Sequence, residues 1–272
     1  MKTLRQFRPA AMAGVFYPGD AAELARTVRS LLSRHASRLP LSAPKALIVP
    51  HAGYIYSGPV AASAYATLAP LRNTIRRVVL LGPAHRVALR GLGLPGVEAF
   101  TSPLGAVPLD LDAIEQLHTL PQVATLAAAH AEEHSLEVQL PFLQLALNSF
   151  HLVPLVVGDA TGEEVAEALD MLWGGPETLI VVSSDLSHYH SYETARQLDQ
   201  DTCRRISDLQ VLDSHEQACG ATPVNGLLLA ARRHRLTAQL LDARNSGDTA
   251  GDRARVVGYA AFAFSGETGH GH

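Results

Sequence analysis

What most limits the folds open to this chain is an alternation between short runs of Val, Ile and Leu and longer stretches with helical apolar spacing. Residues 46–50 (ALIVP), 77–81 (RVVLL), 150–157 and 178–182 (TLIVV) read as buried strands. Apolar residues that do not alternate with polar ones need cover on both faces. Between them, residues 57–68, 109–117, 135–147, 162–173, 194–209 and 222–234 carry helical periodicity. Ser57 or Gly58 would cap the first, with Pro59 in its first turn, and Pro141 implies either a kink or two helical pieces. Thr222 and Pro223 suit the N-cap and first position of the last helix, and a short helix is expected near 212–217. Strands at 236–242 and 255–264 close the order, the second alternating in part, as an edge strand does. The pattern predicts one α/β domain over residues 1–265, with a central mixed, largely parallel sheet flanked by helices. A disordered Gly/His tail is expected at 266–272.

Composition narrows the partners. The 272 residues are 47% hydrophobic, enough for a substantial core, and no Gly/Ser linker or charge run divides them. The formal net charge is −4 and the Lys and Arg residues are scattered, so no nucleic-acid footprint is visible. No apolar run approaches the roughly 18 residues of a membrane span, and the basic N-terminus lacks an apolar stretch of signal-peptide length. Cys203 and Cys219 are the only cysteines, too few for a disulfide framework, which fits a reducing cytoplasm.

The 13 histidines are the unusual count, and three strands deliver them or their companions to one place. His51 follows the first strand in PHAGY, and His85 follows the second in LGPAH. Ser183, Ser184, Asp185 and His188 follow the fourth. Ligands in open α/β sheets bind outside the carboxyl ends of the strands, so that edge is the expected site. The Pro and Gly around His51 and His85 make rigid turns that let backbone approach closely. Asp185 stands one helical turn before His188, a spacing that would let the carboxylate orient the imidazole as an acid/base pair. His190 is expected to point elsewhere. His134, in AEEHSLEVQLP, stands just before a helix that Ser135 would cap, with Glu132 and Glu133 adding negative charge near its start and Glu137 suited to first-turn charge. Cys219 precedes the last helix; a helix N-terminus favours the thiolate that binds metal or attacks a substrate, while a lone Cys also serves as a small buried apolar residue. The stretch 91–96 (GLGLPG) matches GxGxxG but has no strand before it or helix after it, and reads as a turn-rich loop.

Seven segments in order resemble the Memo family: GVFYPGD (14–20), PHAGYIYSG (50–58), LGPAH (81–85), EEHSLEVQLPFL (132–143), VVSSDLSHY (181–189), CGATPVNGLL (219–228) and VVGYAAFAF (256–264). The resemblance implies a fold like that of the type III extradiol dioxygenases, which use non-haem iron(II). It implies one metal ion, iron(II) with copper or zinc as alternatives, held by His51, His85 and Cys219. His188 would be the acid/base residue with Asp185, and His134 and Tyr54 would stand in the pocket wall. It also implies a small-molecule or peptide ligand, and partnership with a radical-SAM protein and a further small protein. Arg86 follows His85 where animal members carry a second histidine, which removes a possible extra donor. A thiolate replaces the dioxygenases' carboxylate, so their activity does not come with the fold. Three functions are then to be separated: a metal-dependent redox enzyme, a non-catalytic module that keeps the pocket to bind metal or peptide, and a hydrolase using Cys219.

Overall fold

The apolar runs form the middle of a nine-stranded sheet because neither of their faces can be left in water. The computed structural model describes residues 7–35 and 43–266. Apart from Gly266, the tail expected to be disordered lies outside the described residues. Strands β1 (Phe7–Arg8), β2 (Ala46–Val49), β3 (Arg77–Pro83), β4 (Leu92–Leu94), β5 (Ala99–Ser102), β6 (Gly105–Pro108) and β7 (Val123–Thr125) are followed by β8 (His151–Val157), β9 (Thr178–Ser183), β10 (His188–His190), β11 (Leu236–Asn245) and β12 (Val256–Gly266). The helices are α1 (Ala21–Ser33), α2 (Tyr54–Tyr65), α3 (Leu111–Leu117), α4 (Ala127–Ala131), α5 (His134–Glu137), α6 (Leu140–Ala146), α7 (Gly162–Met171), α8 (Tyr192–Ser207) and α9 (Ala221–Arg233).

The main sheet runs β10-β12-β2-β9-β3-β8-β4-β7, with β11 also paired to β12, and β1, β5 and β6 make a small second sheet. The four neighbours β2, β9, β3 and β8 are parallel, whereas β12 joins β2, and β4 joins β8, antiparallel. Side chains alternate along each central strand: Leu47, Val78, Leu80, Leu179 and Val181 enter one core with α1, α2 and α6. Ile48, Val79, Leu81, Ile180 and Val182 enter the other with α3, α7 and α9. The expected mixed, largely parallel α/β architecture is therefore the one observed. Among the described residues, no helix is long and apolar enough to cross a membrane.

Several boundaries differ from expectation for identifiable reasons. Helix α2 starts at Tyr54, with Gly53 at its N-cap and Pro59 inside it, while the Ser57 hydroxyl donates back to Ala52 O at 2.8 Å. The run breaks into two pieces, α5 and α6, with Pro141 in the first turn of α6, and Glu133, not Ser135, caps α5. Residues 212–217 form turns, because Asn225 bonds both the N–H and the carbonyl of Leu212 and Gln217 accepts from Asp213 N. Strand β12 is paired on both sides and is not an edge. Within 91–96, three residues form β4; Gly91 turns into it with φ +76, and a Cβ there would lie 2.0 Å from Gln122 O.

A buried ion pair fixes the N-terminal segment to the sheet edge. Glu137, on α5, is fully buried and accepts from the Arg8 guanidinium, Ala11 N at 2.9 Å, Met12 N at 2.8 Å and Tyr17 Oη at 2.5 Å. Arg8 also donates to His130 O and Glu133 O, each at 2.8 Å. Removing one partner strands the other charge, so Glu137→Ala should lower unfolding free energy by about 3–5 kcal/mol and Glu137→Gln by less. Denaturant unfolding of both variants measures this, and a loss under about 1 kcal/mol for Ala would mean that the segment is held by other contacts.

Candidate metal centre

All four parallel strands end at the same edge, and the turns leaving β2, β3 and β9 put His51, His85 and Asp185 there. With α5 and the segment before α9 they surround a cavity of about 760 Å³. Its lining includes Phe16, His51, His85, His134, Asp185, His188, His190, His215 and Cys219. One potential ligand atom each from His51, His85 and His134 lies within 4.8 Å of the others. The ring centroids are 5.2 Å apart for His51 with His85 or His134, and 4.6 Å for the stacked His85–His134 pair. Cys219 Sγ lies 3.3 Å from His51 Nε2. Donors on one zinc- or iron-sized ion at about 2.0–2.3 Å are roughly 3.3–4.5 Å apart, so small ring rotations bring the three imidazoles onto one centre. Imidazole with thiolate suits iron, copper or zinc.

Each donor is held from behind. His85 donates its backbone N–H to Glu133 Oε2 at 2.7 Å, and its Nδ1 lies 2.9 Å from Glu133 Oε1. His134 Nδ1 is 3.2 Å from that same oxygen, and Phe16 covers the other side of its ring at 4.8 Å. His51 donates its backbone N–H to Asp185 Oδ1 at 2.7 Å, and its Nδ1 is 3.0 Å from Ser183 Oγ. Gly220 is the N-cap of α9 in place of the expected Thr222. Gly220 N donates to Ser184 Oγ at 2.9 Å, and a Cβ on Gly220 would meet the Ser184 side chain at 2.8 Å. That close approach sets Cys219 beside the strand ends.

Some anticipated pairings are absent. Asp185 serves the backbone of His51 and Ala52, not the ring of His188; His188 Nδ1 instead meets Leu186 O at 2.8 Å. Tyr54 is turned into the core, 7% exposed, with its hydroxyl donating to Val138 O at 2.6 Å, and it stands outside the cavity lining. His190 and His215, given no role from sequence, do line the cavity. Tyr189, between His188 and His190, has φ +63 and the pairing of β10 shifts there, so strand alternation does not apply and no local pattern signals His190. Glu133, read as charge near a helix start, is 2% exposed and lies against the rings of His85 and His134; only its place beside His134 hinted at this.

Burial dominates the electrostatics. It pushes His51 well below its ordinary value, with the neighbouring His134, His85 and His188 adding to the shift, and brings His134 down to about 4 against the pull of Glu133. Burial raises Asp185 to about 7, opposed by the N–H groups of His51 and Ala52. For Glu133, burial is outweighed by its bonds to His85 and Ser135, which leave it at about 2. Cys219 goes up to about 12 through burial and the Asp185 carboxylate, opposite to the lowering expected from the helix end. Its imidazole neighbour is His51, not His188, and burial holds His51 well below its ordinary value, which disfavours an imidazolium beside the thiol.

The chain is similar to known proteins over most of its length. A family model described as Memo-like protein matches residues 8–263. A MEMO1 family protein of Ignicoccus hospitalis is 36% identical over 282 residues, covering 94% of this chain and 98% of the relative. One from Aquifex aeolicus is also 36% identical, with the same coverage. Among solved structures, an uncharacterised protein from Escherichia coli K12 superposes with TM-score 0.50 at 15% identity, covering 79% of this chain and 98% of that one, a likeness of fold alone.

The shifted groups make metal-free stability depend on pH with opposing signs. His134 titrates at about 4 folded but near 6.5 unfolded; its contribution is intact above about pH 6.5 and is lost as pH falls toward 4. Asp185, at about 7 folded and near 3.9 unfolded, adds stability as pH falls through the same window. Between pH 7 and 5, His134→Asn should therefore lose about 1–2 kcal/mol less than the parent, and Asp185→Asn should lose more than the parent. Thermal or urea unfolding at the two pH values checks both signs; parallel pH slopes in all three proteins would contradict the burial of these groups.

Proposed function

The chain belongs to the Memo-like family, and we propose that it is a metal-binding redox enzyme whose ion, iron(II) with copper or zinc as competitors, is held by His51, His85, His134 and Cys219. The clustering of three imidazole ligand atoms within 4.8 Å, with a thiol beside one of them, carries this reading. When bound, such an ion supplies redox or Lewis-acid chemistry to a small-molecule or peptide ligand in the cavity. The residues around it have separable tasks. Glu133 and Ser183 hold ring orientations, Asp185 fixes the turn that carries His51, and Phe16 keeps solvent from one side of His134. His188 has its Nδ1 occupied by Leu186 O, which leaves Nε2 to take or give a proton at the ligand. Burial keeps His188 below its ordinary value, so it enters that exchange as a base. A radical-SAM protein and a small companion protein are the proposed partners. A cytoplasmic setting suits the two cysteines, which are free.

Protein purified without oxygen should carry close to one ion per chain by elemental analysis. His51→Ala and Cys219→Ser should lose it while keeping the parent's circular dichroism; full metal in both variants would sink the site. Oxygen uptake by the iron(II) form with candidate reductants separates an enzyme from a metal-carrying module, which would show none.

Binding should also release protons. The buried imidazoles are already neutral at pH 7.5, whereas Cys219, at about 12, is a thiol. Coordination then displaces about one proton per ion, and apparent affinity rises about tenfold per pH unit. Calorimetry in buffers of different ionisation enthalpy measures the release, and a parent that binds the ion without releasing a proton would contradict coordination by Cys219.

A further inference from the structure

The inference here rests on the reading of His51, His85 and His134 as donors, and concerns which of their nitrogens is free to donate. An imidazole binds an ion through the nitrogen without a proton, and the partner of the other nitrogen decides which one that is. For two rings the partner can only accept: His85 Nδ1 faces Glu133 Oε1 at 2.9 Å, and His188 Nδ1 faces Leu186 O at 2.8 Å. His134 Nδ1 lies 3.2 Å from the same Glu133 oxygen as an ion-pair distance without hydrogen-bond geometry, so its tautomer is not set in this way.

His51 is less simple, since its Nδ1 meets the Ser183 hydroxyl, which by itself either donates or accepts. The surrounding bonds remove the choice. Pro50 O is a pure acceptor 2.9 Å from Gln139 Nε2, and Gln139 Oε1 accepts from Tyr65 Oη at 2.9 Å, so the amide orientation is fixed. Gln139 Nε2 therefore also donates to Ser183 Oγ, at 2.8 Å. The Ser183 proton goes to Ser135 O at 2.6 Å, a carbonyl with nothing to give back. What remains on Ser183 Oγ is a lone pair, and His51 Nδ1 must donate to it. Ser135 also donates its N–H, on the neighbouring peptide unit, to Glu133 Oε1 at 2.9 Å, so the backbone of one buried residue links Glu133 to Ser183.

We infer that Glu133 and Ser183 are the positioning residues of the centre: both bonded to the Ser135 backbone, they preset His85 and His51, respectively, as Nδ1–H tautomers with Nε2 free to bind an ion. The assignment of Nε2 agrees with the approach of Cys219 Sγ to His51 Nε2.

Long-range ¹H–¹⁵N correlation spectra of the full-length, metal-free protein read the tautomer of each ring, and zinc competition against a chelator reads affinity. The parent should show Nδ1–H at His51, His85 and His188. Ser183→Ala should disturb the pattern at His51 but not His85, and Glu133→Gln at His85 but not His51, with His188 unmoved in both. Each variant should bind zinc about 10–100-fold more weakly, and Ser183→Thr, which keeps the hydroxyl, should recover the parent's values. Nε2–H at His51 or His85 in the parent, or an unaltered pattern in Ser183→Ala, overturns the inference even if zinc binds normally. A parent with the stated tautomers that does not bind zinc overturns the metal reading instead. Should Glu133→Gln fail to fold, the Ser183 pair still decides between these outcomes.

Discussion

Everything at the sheet edge hangs on two carboxylates four residues apart, Glu133 and Glu137, that have been taken out of water. They stand at the two ends of the single helical turn α5. Glu137 takes four donors from the N-terminal segment and holds it in place; that segment lays Phe16 against His134. Glu133 takes its donors from the turn after β3 and from α5 itself. Arg8 touches both ends, as an ion pair to Glu137 and through the carbonyl of Glu133. Buried charges of this kind stabilise little in net terms, because desolvation offsets the attraction. Their effect is to allow only one arrangement, since any shift strands a charge or an N–H.

The arrangement they allow crowds imidazoles together. Six histidines line one cavity, and burial holds His51, His134 and His188 below their ordinary values. Neutral rings neither repel one another strongly nor need counter-charges, so the fold tolerates them close together. Glu133 and Ser183 provide partners at His85 Nδ1 and His51 Nδ1. One potential ligand atom each from His51, His85 and His134 lies within 4.8 Å of the others, a group that could hold a metal ion.

Much of this was legible in the sequence, and the parts that were not share a cause. The four central strands announced themselves because uninterrupted Val, Ile and Leu runs have no other use in a chain of this kind. His51 and His85 followed, since parallel strands must deliver what comes after them to one edge. Asp185 was misassigned to His188 because spacing along the chain was used where pairing across β2 and β9 decides. Tyr54 looked like a pocket residue beside His51, but α2 begins at that residue and its first turn carries the ring into the core. Strands of two to four residues, such as β4 to β7, carry too few side chains to show a period. Glu133 and Ser183 act through partners about 50 residues away in sequence, and no local pattern encodes that.

Cys219 shows how a residue can be nominated for a reason that its surroundings do not support. A helix N-terminus favours a nearby anion by about 0.3–1 kcal/mol, less than one pKa unit. Burial and the Asp185 carboxylate act the other way and leave the thiol at about 12. The helix end therefore does not make a standing thiolate. Its geometric role survives: the tight contact of Gly220 with Ser184 places Sγ beside His51 Nε2. A thiol protonated until a cation displaces its proton is a poor nucleophile and a good conditional ligand. On the proposed reading, ionisation of Cys219 and arrival of a metal ion are one event, and that coupling would separate a metal centre from a hydrolytic one more sharply than the choice of residues does.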